Sequence, residues 1–172
     1  MIKNSIKIVS YDPEWAEMYE SERKFLYSLL GDYVQGTIEH VGSTSVVGMP
    51  AKPIIDIMVG IESLESTEGA IKLLSKNSYC HSPYKADVMH WLCKPSPDVR
   101  THHLHLVPFN SKLWLERIAF RDLLRSNFDV ATQYADLKIE LAHKYKNDRE
   151  AYTQKKWPFI KKVLELSDIK DC

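Results

Sequence analysis

At 172 residues the chain is sized for one domain and can bury about 70% of the surface its unfolded form exposes, so folding requires no metal or disulfide framework. Twenty-three Lys and Arg balance twenty-three Asp and Glu, which excludes a chain-wide cationic field and argues against a nucleic-acid partner. The cysteines (Cys80, Cys93, Cys172) form no Cys-x-x-Cys pair, which excludes a zinc framework, and no apolar run approaches the ~18 residues of a bilayer span.

The opening, Met1 to Lys7, lacks the apolar core of a signal peptide, and with the unpaired cysteines this predicts a cytoplasmic protein without membrane association. Ile6 to Val9 reads as a short strand. Asp12-Pro13 is a helix start, with Asp at the cap and Pro at the first helical position. Trp15, Met18, Tyr19, Glu22, Phe25, Leu26 and Leu29 come next at helical spacing, and Gly31-Asp32 closes that helix. Strands are expected near 36–41 and 53–60. In the second, Ile55, Ile57 and Val59 face one way and Ile54, Asp56 and Met58 the other. A helix over 63–76 precedes strand-like runs at 78–81, 87–94 and 100–108, with Pro95 and Pro97 in the last connecting loop. After Asn110-Ser111 the pattern is helical to the end. Asp148 is a helix cap, and Pro158 is expected to kink or divide the last helix. The fold class predicted is α/β (α+β): one domain, 1–172, with an α/β core over 1–110 and a helical tail over 111–172.

Charge is unevenly spread. Residues 10–40 carry seven acids against two bases, and residues 138–162 carry eight bases against three acids. These are either solvated helix faces or, at the basic end, a source of phosphate ligands.

The densest chemistry lies in residues 36–60. A strand-like run ends in Gly42-Ser43-Thr44, and a second apolar run carries Asp56 at its centre. Backbone amides at a turn that opens a helix can hold phosphate oxygens, and a nearby Asp can hold the divalent ion that neutralises them. Read alone, such a tripeptide is usually just a turn.

Several blocks together resemble a known family. Tyr11-Asp12-x-x-Trp15, His40-x-Gly42-Ser43-Thr44, Gly48-x-x-Ala51-Lys52-Pro53-x-Ile55-Asp56-Ile57, His103-Leu104-His105-Leu106, Phe120-Arg121-Asp122-x-Leu124-Arg125, Tyr134-x-x-Leu137-Lys138 and Tyr152-x-x-Lys155 are similar to the GrpB family (UPF0157), in its order, over roughly residues 6–163. The resemblance implies a nucleotidyltransferase-like mixed sheet with helices on one face and a C-terminal helical tail. It also implies a Gly-Ser turn, matched by Gly42-Ser43, and an Asp-x-Asp pair of metal ligands, of which Asp56 matches the first. Met58 stands where the second would be, and a thioether does not replace a hard oxygen ligand for Mg²⁺.

On strand 100–108, His103 and His105 share one face, with His102, Leu104 and Leu106 on the other. If the leucines enter the core, Asp56, His103 and His105 meet in the cleft as candidate catalytic groups and metal ligands. One carboxylate with two imidazoles suits Zn²⁺, Mn²⁺ or Fe²⁺ better than Mg²⁺. The alternatives are imidazoles that donate to phosphate or move a proton, and strand histidines satisfied by their neighbours. The His-x-His run shares two positions with the histidine-triad hydrolase motif, but Val107 replaces the third.

Gly42, Ser43, Thr44, Lys52, Arg100, Arg121, Lys138 and Lys155 are the candidate phosphate ligands, with Arg121-Asp122 equally readable as a surface ion pair. Trp114, Phe120, Tyr134 and Tyr152 read as core rather than base-stacking platforms. Two functions are expected. One is metal-dependent nucleotidyl transfer to a small-molecule or other acceptor. The other is a non-catalytic domain binding a nucleotide, a coenzyme-A-like ligand or another phosphorylated small molecule.

Overall fold

In the computed structural model, which describes residues 5–166, Asp12 Oδ1 accepts from the Glu14 amide at 3.0 Å and opens helix α1 (Glu14–Leu30). Gly31 does not end the turn outright; the chain tightens into a 3₁₀ turn over Gly31–Tyr33. Five strands form one sheet: β1 (Ile38–Val41), β2 (Ile55–Ile61), β3 (Cys80–Ser82), β4 (His90–Pro95) and β5 (Arg100–Pro108). The order is β1-β2-β5-β4-β3; β2 and β5 run parallel and every other pair antiparallel. Helix α2 (Glu68–Ser75), preceded by a 3₁₀ turn at Glu65–Thr67, lies in the connection from β2 to β3. Helices α3 (Lys112–Ser126), α4 (Phe128–Lys144) and α5 (Arg149–Leu166) complete the described chain. Residues 167–172 of the expected helical tail, Cys172 among them, lie outside the described residues.

The alternation in β2 decides the two faces of the sheet. Ile55, Ile57, Val59 and Ile61 are buried with Leu104 and Leu106 of β5, against Trp15, Leu26 and Leu30 of α1 and Ala70 and Leu74 of α2. Each such aliphatic side chain contributes about 1.5–3 kcal/mol. The opposite face carries Met58, Val41 and Val107 under Trp114 of α3. Trp114 is therefore core, as its spacing indicates.

Two expectations are corrected. Residues 6–9 add no strand to the sheet: Val9 exchanges a single pair of backbone bonds with Ala51, at 2.9 and 3.0 Å. Pro158 does not divide α5, which runs through it to Leu166. Its ring is exposed, and packing on both sides of it, by Tyr152 before and Phe159, Ile160 and Val163 after, holds the helix together. No helix among the described residues is long and apolar enough to cross a membrane.

Candidate functional site

The parallel register sets Asp56 of β2 beside His103 of β5, and the two-residue strand period brings His105 to the same face. His103 Nδ1 lies 3.0 Å and His105 Nε2 3.5 Å from the same oxygen, Asp56 Oδ1. Burial works to raise the Asp56 pKa, but the hydrogen bonds and charge of the two imidazoles outweigh it and hold the carboxyl well below its ordinary range. Burial, with Arg117 nearby, pushes His105 down to about 4, so at neutral pH it is an uncharged imidazole. His103 Nε2 and His105 Nδ1 are buried without a hydrogen-bond partner.

The Gly42 turn touches this cluster. Gly42 has φ +70° and ψ −175°, a combination nearly confined to glycine, and a Cβ there would lie 2.6 Å from Asp56 Oδ2. The chain then makes a three-residue 3₁₀ turn, Ser43–Ser45, rather than a helix. The expected helix-terminal amide field is therefore absent at this turn, and positive potential must come from side chains. Thr44 is also committed elsewhere. His40 Nε2 donates to its hydroxyl at 3.0 Å, and the hydroxyl donates to the Ile54 carbonyl at 3.4 Å. Burial lowers His40 to about 4, keeping it neutral while it stacks on Tyr19 at 4.6 Å. Burial raises the Tyr134 phenol, an effect that Ser43 partly offsets.

The turn, Asp56 and the histidines open onto one cavity of about 680 Å³, walled opposite by α3, α4 and α5. Of the candidate phosphate ligands, Lys52, Arg100, Arg121 and Lys138 line it, but they are not equivalent. Lys138 is 2% exposed, and its Nζ donates to the Pro50 carbonyl at 2.6 Å. Burial, with Lys156 and Lys52 close by, pushes it down to about 7. Arg100 lies over the Trp91 ring at 5.1 Å. Arg121 is bound to Glu39, Asp122 and the His40 carbonyl, so it serves chiefly to cover the edge of β1. Lys155 is the misplaced candidate: it is exposed and outside the cavity, because α5 turns its neighbour Lys156 inward.

Of four further lining cations, Lys85 and Arg117 escaped the sequence reading, and Arg149 and Lys156 entered it only as members of the basic stretch 138–162. The signal for three of them was helical spacing. On α5, Arg149, Tyr152, Lys156 and Ile160 share a face; on α3, Leu113, Arg117, Phe120 and Leu124 do. Tyr134 and Tyr152 are buried as expected yet also line the cavity. In all, eight lysines and arginines face three carboxylates, Asp56, Glu116 and Glu150.

Asp56, His103 and His105 have the chemistry of metal donors but not the arrangement of a metal site. Two ligand atoms bound at ~2.1 Å stand roughly 3.0–3.4 Å apart, close to the separations of the two imidazole nitrogens from Asp56 Oδ1. Among the described residues no group of three or more His, Cys, Asp or Glu side chains is placed so that it could hold a metal ion. Oδ1 occupies the point between the rings, whose centroids are 6.5 Å apart, so the rings must turn from the carboxylate to share an ion with it.

A family model described as GrpB protein matches residues 5–166. Glutamate-rich protein GrpB of Alkalihalophilus pseudofirmus is 35% identical over 167 residues, covering 94% of this chain and 95% of that protein. UPF0157 protein YqkA of Bacillus subtilis is 30% identical over 163 residues, covering 95% of this chain and 47% of that protein, so the chain spans about half of that relative's length. A crystal structure of conserved protein GrpB from Enterococcus faecalis superimposes with a TM-score of 0.83 at 32% identity, covering 94% of this chain and 96% of that one.

Proposed function

The chain belongs to the GrpB family, and we propose that its cavity binds a nucleoside triphosphate, or a similar polyphosphorylated small molecule, for metal-assisted nucleotidyl transfer. One observation carries this reading. A single cavity combines a large excess of cationic side chains with a lone carboxylate that two imidazoles flank and a Gly-Ser turn touches. Enclosed lysines and arginines bind phosphate oxygens strongly because the charge-assisted bonds act at low dielectric. Asp56, His103 and His105 would hold a divalent cation, best Mn²⁺ or Zn²⁺, which would supply charge neutralisation at the reacting phosphoryl group. Lys52, Lys138 and Lys156 would orient the polyphosphate, and neutral His105 and ionised Asp56 are in the protonation states a ligand set requires.

Met58 favours a second reading, a nucleotide- or coenzyme-A-like-binding domain without transfer chemistry. It takes the place of a second carboxylate and is sealed among Val41, Met89, Val107 and Trp114.

Incubation with labelled ATP, GTP, CTP or UTP, Mg²⁺ or Mn²⁺, and a metabolite pool separates the two. Label transfer that disappears in Asp56→Asn supports catalysis; binding with no Asp56-dependent transfer leaves the second reading. A ligand at a hundred times its Kd adds about 2.7 kcal/mol, a rise in Tm of roughly 5–11 °C for this size. If neither nucleotides nor metals move the Tm, both readings fall. Mn²⁺ or Zn²⁺ titration of Asp56→Asn and His103→Gln, read by calorimetry, tests the metal set without turnover.

A further inference from the structure

The sheet sets two cysteines side by side. Cys80 of β3 is the direct antiparallel partner of Cys93 of β4, Cys93 is the partner of His103, and His103 of Asp56. Cross-strand partners present their side chains to one face, so these four residues form a row that runs inward from the β3 edge. That face is the cavity face: Ser82 and its partner Trp91, two residues along from the cysteines, both line the cavity. Both thiols are free, Cys93 buried and Cys80 half-buried. The Cys80 thiol is close enough to act on that of Cys93, and its Sγ lies 3.9 Å from the Pro95 carbonyl oxygen, so it already leans across to β4. Directly paired residues of an antiparallel ladder stand about 4.5 or 5.5 Å apart at Cα, and both separations fall within the ~4.4–6.8 Å that a disulfide spans.

A bond between these two sulfurs would join the ends of segment 83–89, which connects β3 to β4 and brings Tyr84 and Lys85 to the cavity wall. The segment contains no helix or strand, and the Val88 and Met89 amides donate to the Lys85 carbonyl at 3.0 and 3.1 Å to hold its turn. We propose that Cys80 and Cys93 are a reversible thiol–disulfide pair, oxidised by a small-molecule disulfide, that ties down this cavity-lining segment. Cys80 reacts first because it is the more exposed thiol. Its sulfur bonds to one sulfur of the oxidant as the oxidant's own S–S bond breaks, and one thiolate leaves. Cys93 then gives up its proton and attacks Cys80 Sγ; the cross-strand bond forms and the second half of the oxidant leaves. Two protein thiols are oxidised, one disulfide is reduced to two thiols, and two protons pass from the first pair to the second.

The test treats the full chain, and separately Cys172→Ser, with oxidised glutathione, alkylates the remaining thiols and digests with trypsin, which cuts after Lys85 between the two cysteines. The expected product is a pair of peptides joined through Cys80 and Cys93 and separated again by dithiothreitol. Cys93→Ala is expected to stop at a glutathione adduct on Cys80, and Cys80→Ala to leave Cys93 unmodified under conditions that link the parent. In the linked protein, amide exchange at Val88 and Met89 should slow at least about threefold relative to the reduced protein. An adduct on Cys80 that persists in the parent, a link through Cys172 or between two chains, or thiols that resist the oxidant while the protein is folded each overturn the pair. Exchange at Val88 and Met89 unchanged by the link overturns the tether. The parent carries both cysteines, so its peptide link and exchange decide the outcome even if an alanine variant fails to fold.

Discussion

Replacing Lys138 with methionine should raise the stability of the ligand-free protein at pH 7 and remove that advantage near pH 10. Lys138 is buried against Pro50 and Tyr134 with no carboxylate beside it, and burial lowers its pKa to about 7 from the usual 10.5. The unfolded chain therefore binds more protons than the folded one between those two values, and stability rises with pH across that window. At pH 7 the suppressed proton corresponds to about 4 kcal/mol of lost stability, falling to under about 1 kcal/mol near pH 10. Methionine fills a similar volume without the charge but leaves the Pro50 carbonyl without its donor, which costs about 1–3 kcal/mol. The expected net effect at pH 7 is a gain of about 1–3 kcal/mol, or roughly 2–12 °C in Tm for a chain of this size. Near pH 10 the variant should match or fall below the parent. Thermal unfolding at both pH values, without ligand and in low salt, measures this. A Tm lowered by the same amount at both would refute the idea that Lys138 is held in the fold at the expense of stability. The same variant should lose affinity for ATP, because an anion beside the ammonium is what would restore its proton. Binding to the parent at pH 8 should then take up protons, seen as a dependence of the calorimetric heat on buffer ionisation.

Three further outcomes are expected. Asp56→Asn should abolish label transfer while nucleotide affinity holds or rises, since a carboxylate facing the phosphates is gone; parallel transfer and calorimetric assays check this. Its folded-state pKa lies below the unfolded ~3.9, so Asp56 stabilises above that value and the benefit fades as pH falls through the folded one. The stability gap between parent and variant should accordingly shrink in acid unfolding below about pH 4. Gly42→Ala should cost about 1–3 kcal/mol in urea unfolding and weaken nucleotide binding too, because the backbone is strained and the new Cβ displaces Asp56. On the other side of the sheet, Glu22 accepts from the Tyr79 hydroxyl at 2.7 Å and pairs with Lys94. Lys94→Met should cost roughly 3 kcal/mol by leaving that carboxylate unpaired, and adding Glu22→Gln should recover much of the loss, as a double-mutant cycle in denaturant would record.

Much of the fold is legible in the sequence because it depends on local periodicity. The alternation of Ile55, Ile57 and Val59 against Asp56 and Met58 needs only the strand period, and so does the sorting of His103 and His105 from Leu104 and Leu106. Pro158 shows where a local rule gives way: the proline weakens one turn, but apolar packing on both sides keeps α5 continuous. Lys155 and Lys156 differ by one residue, or about 100° of helix, and that rotation sends one to solvent and the other into the cavity.

The chain's own order of residues settled the sheet's main strands and its two faces, since these depend on neighbours within a few positions, whereas the glycine turn meets Asp56 only through the antiparallel pairing of β1 with β2. Which cations gather around that aspartate, and that Arg121 is spent on holding the fold, was decided only when α3, α4 and α5 packed across the sheet, while Thr44 was committed by its contacts with His40 and Ile54. Electrostatic environment is a sum over groups far apart in sequence, and no local pattern carries that sum.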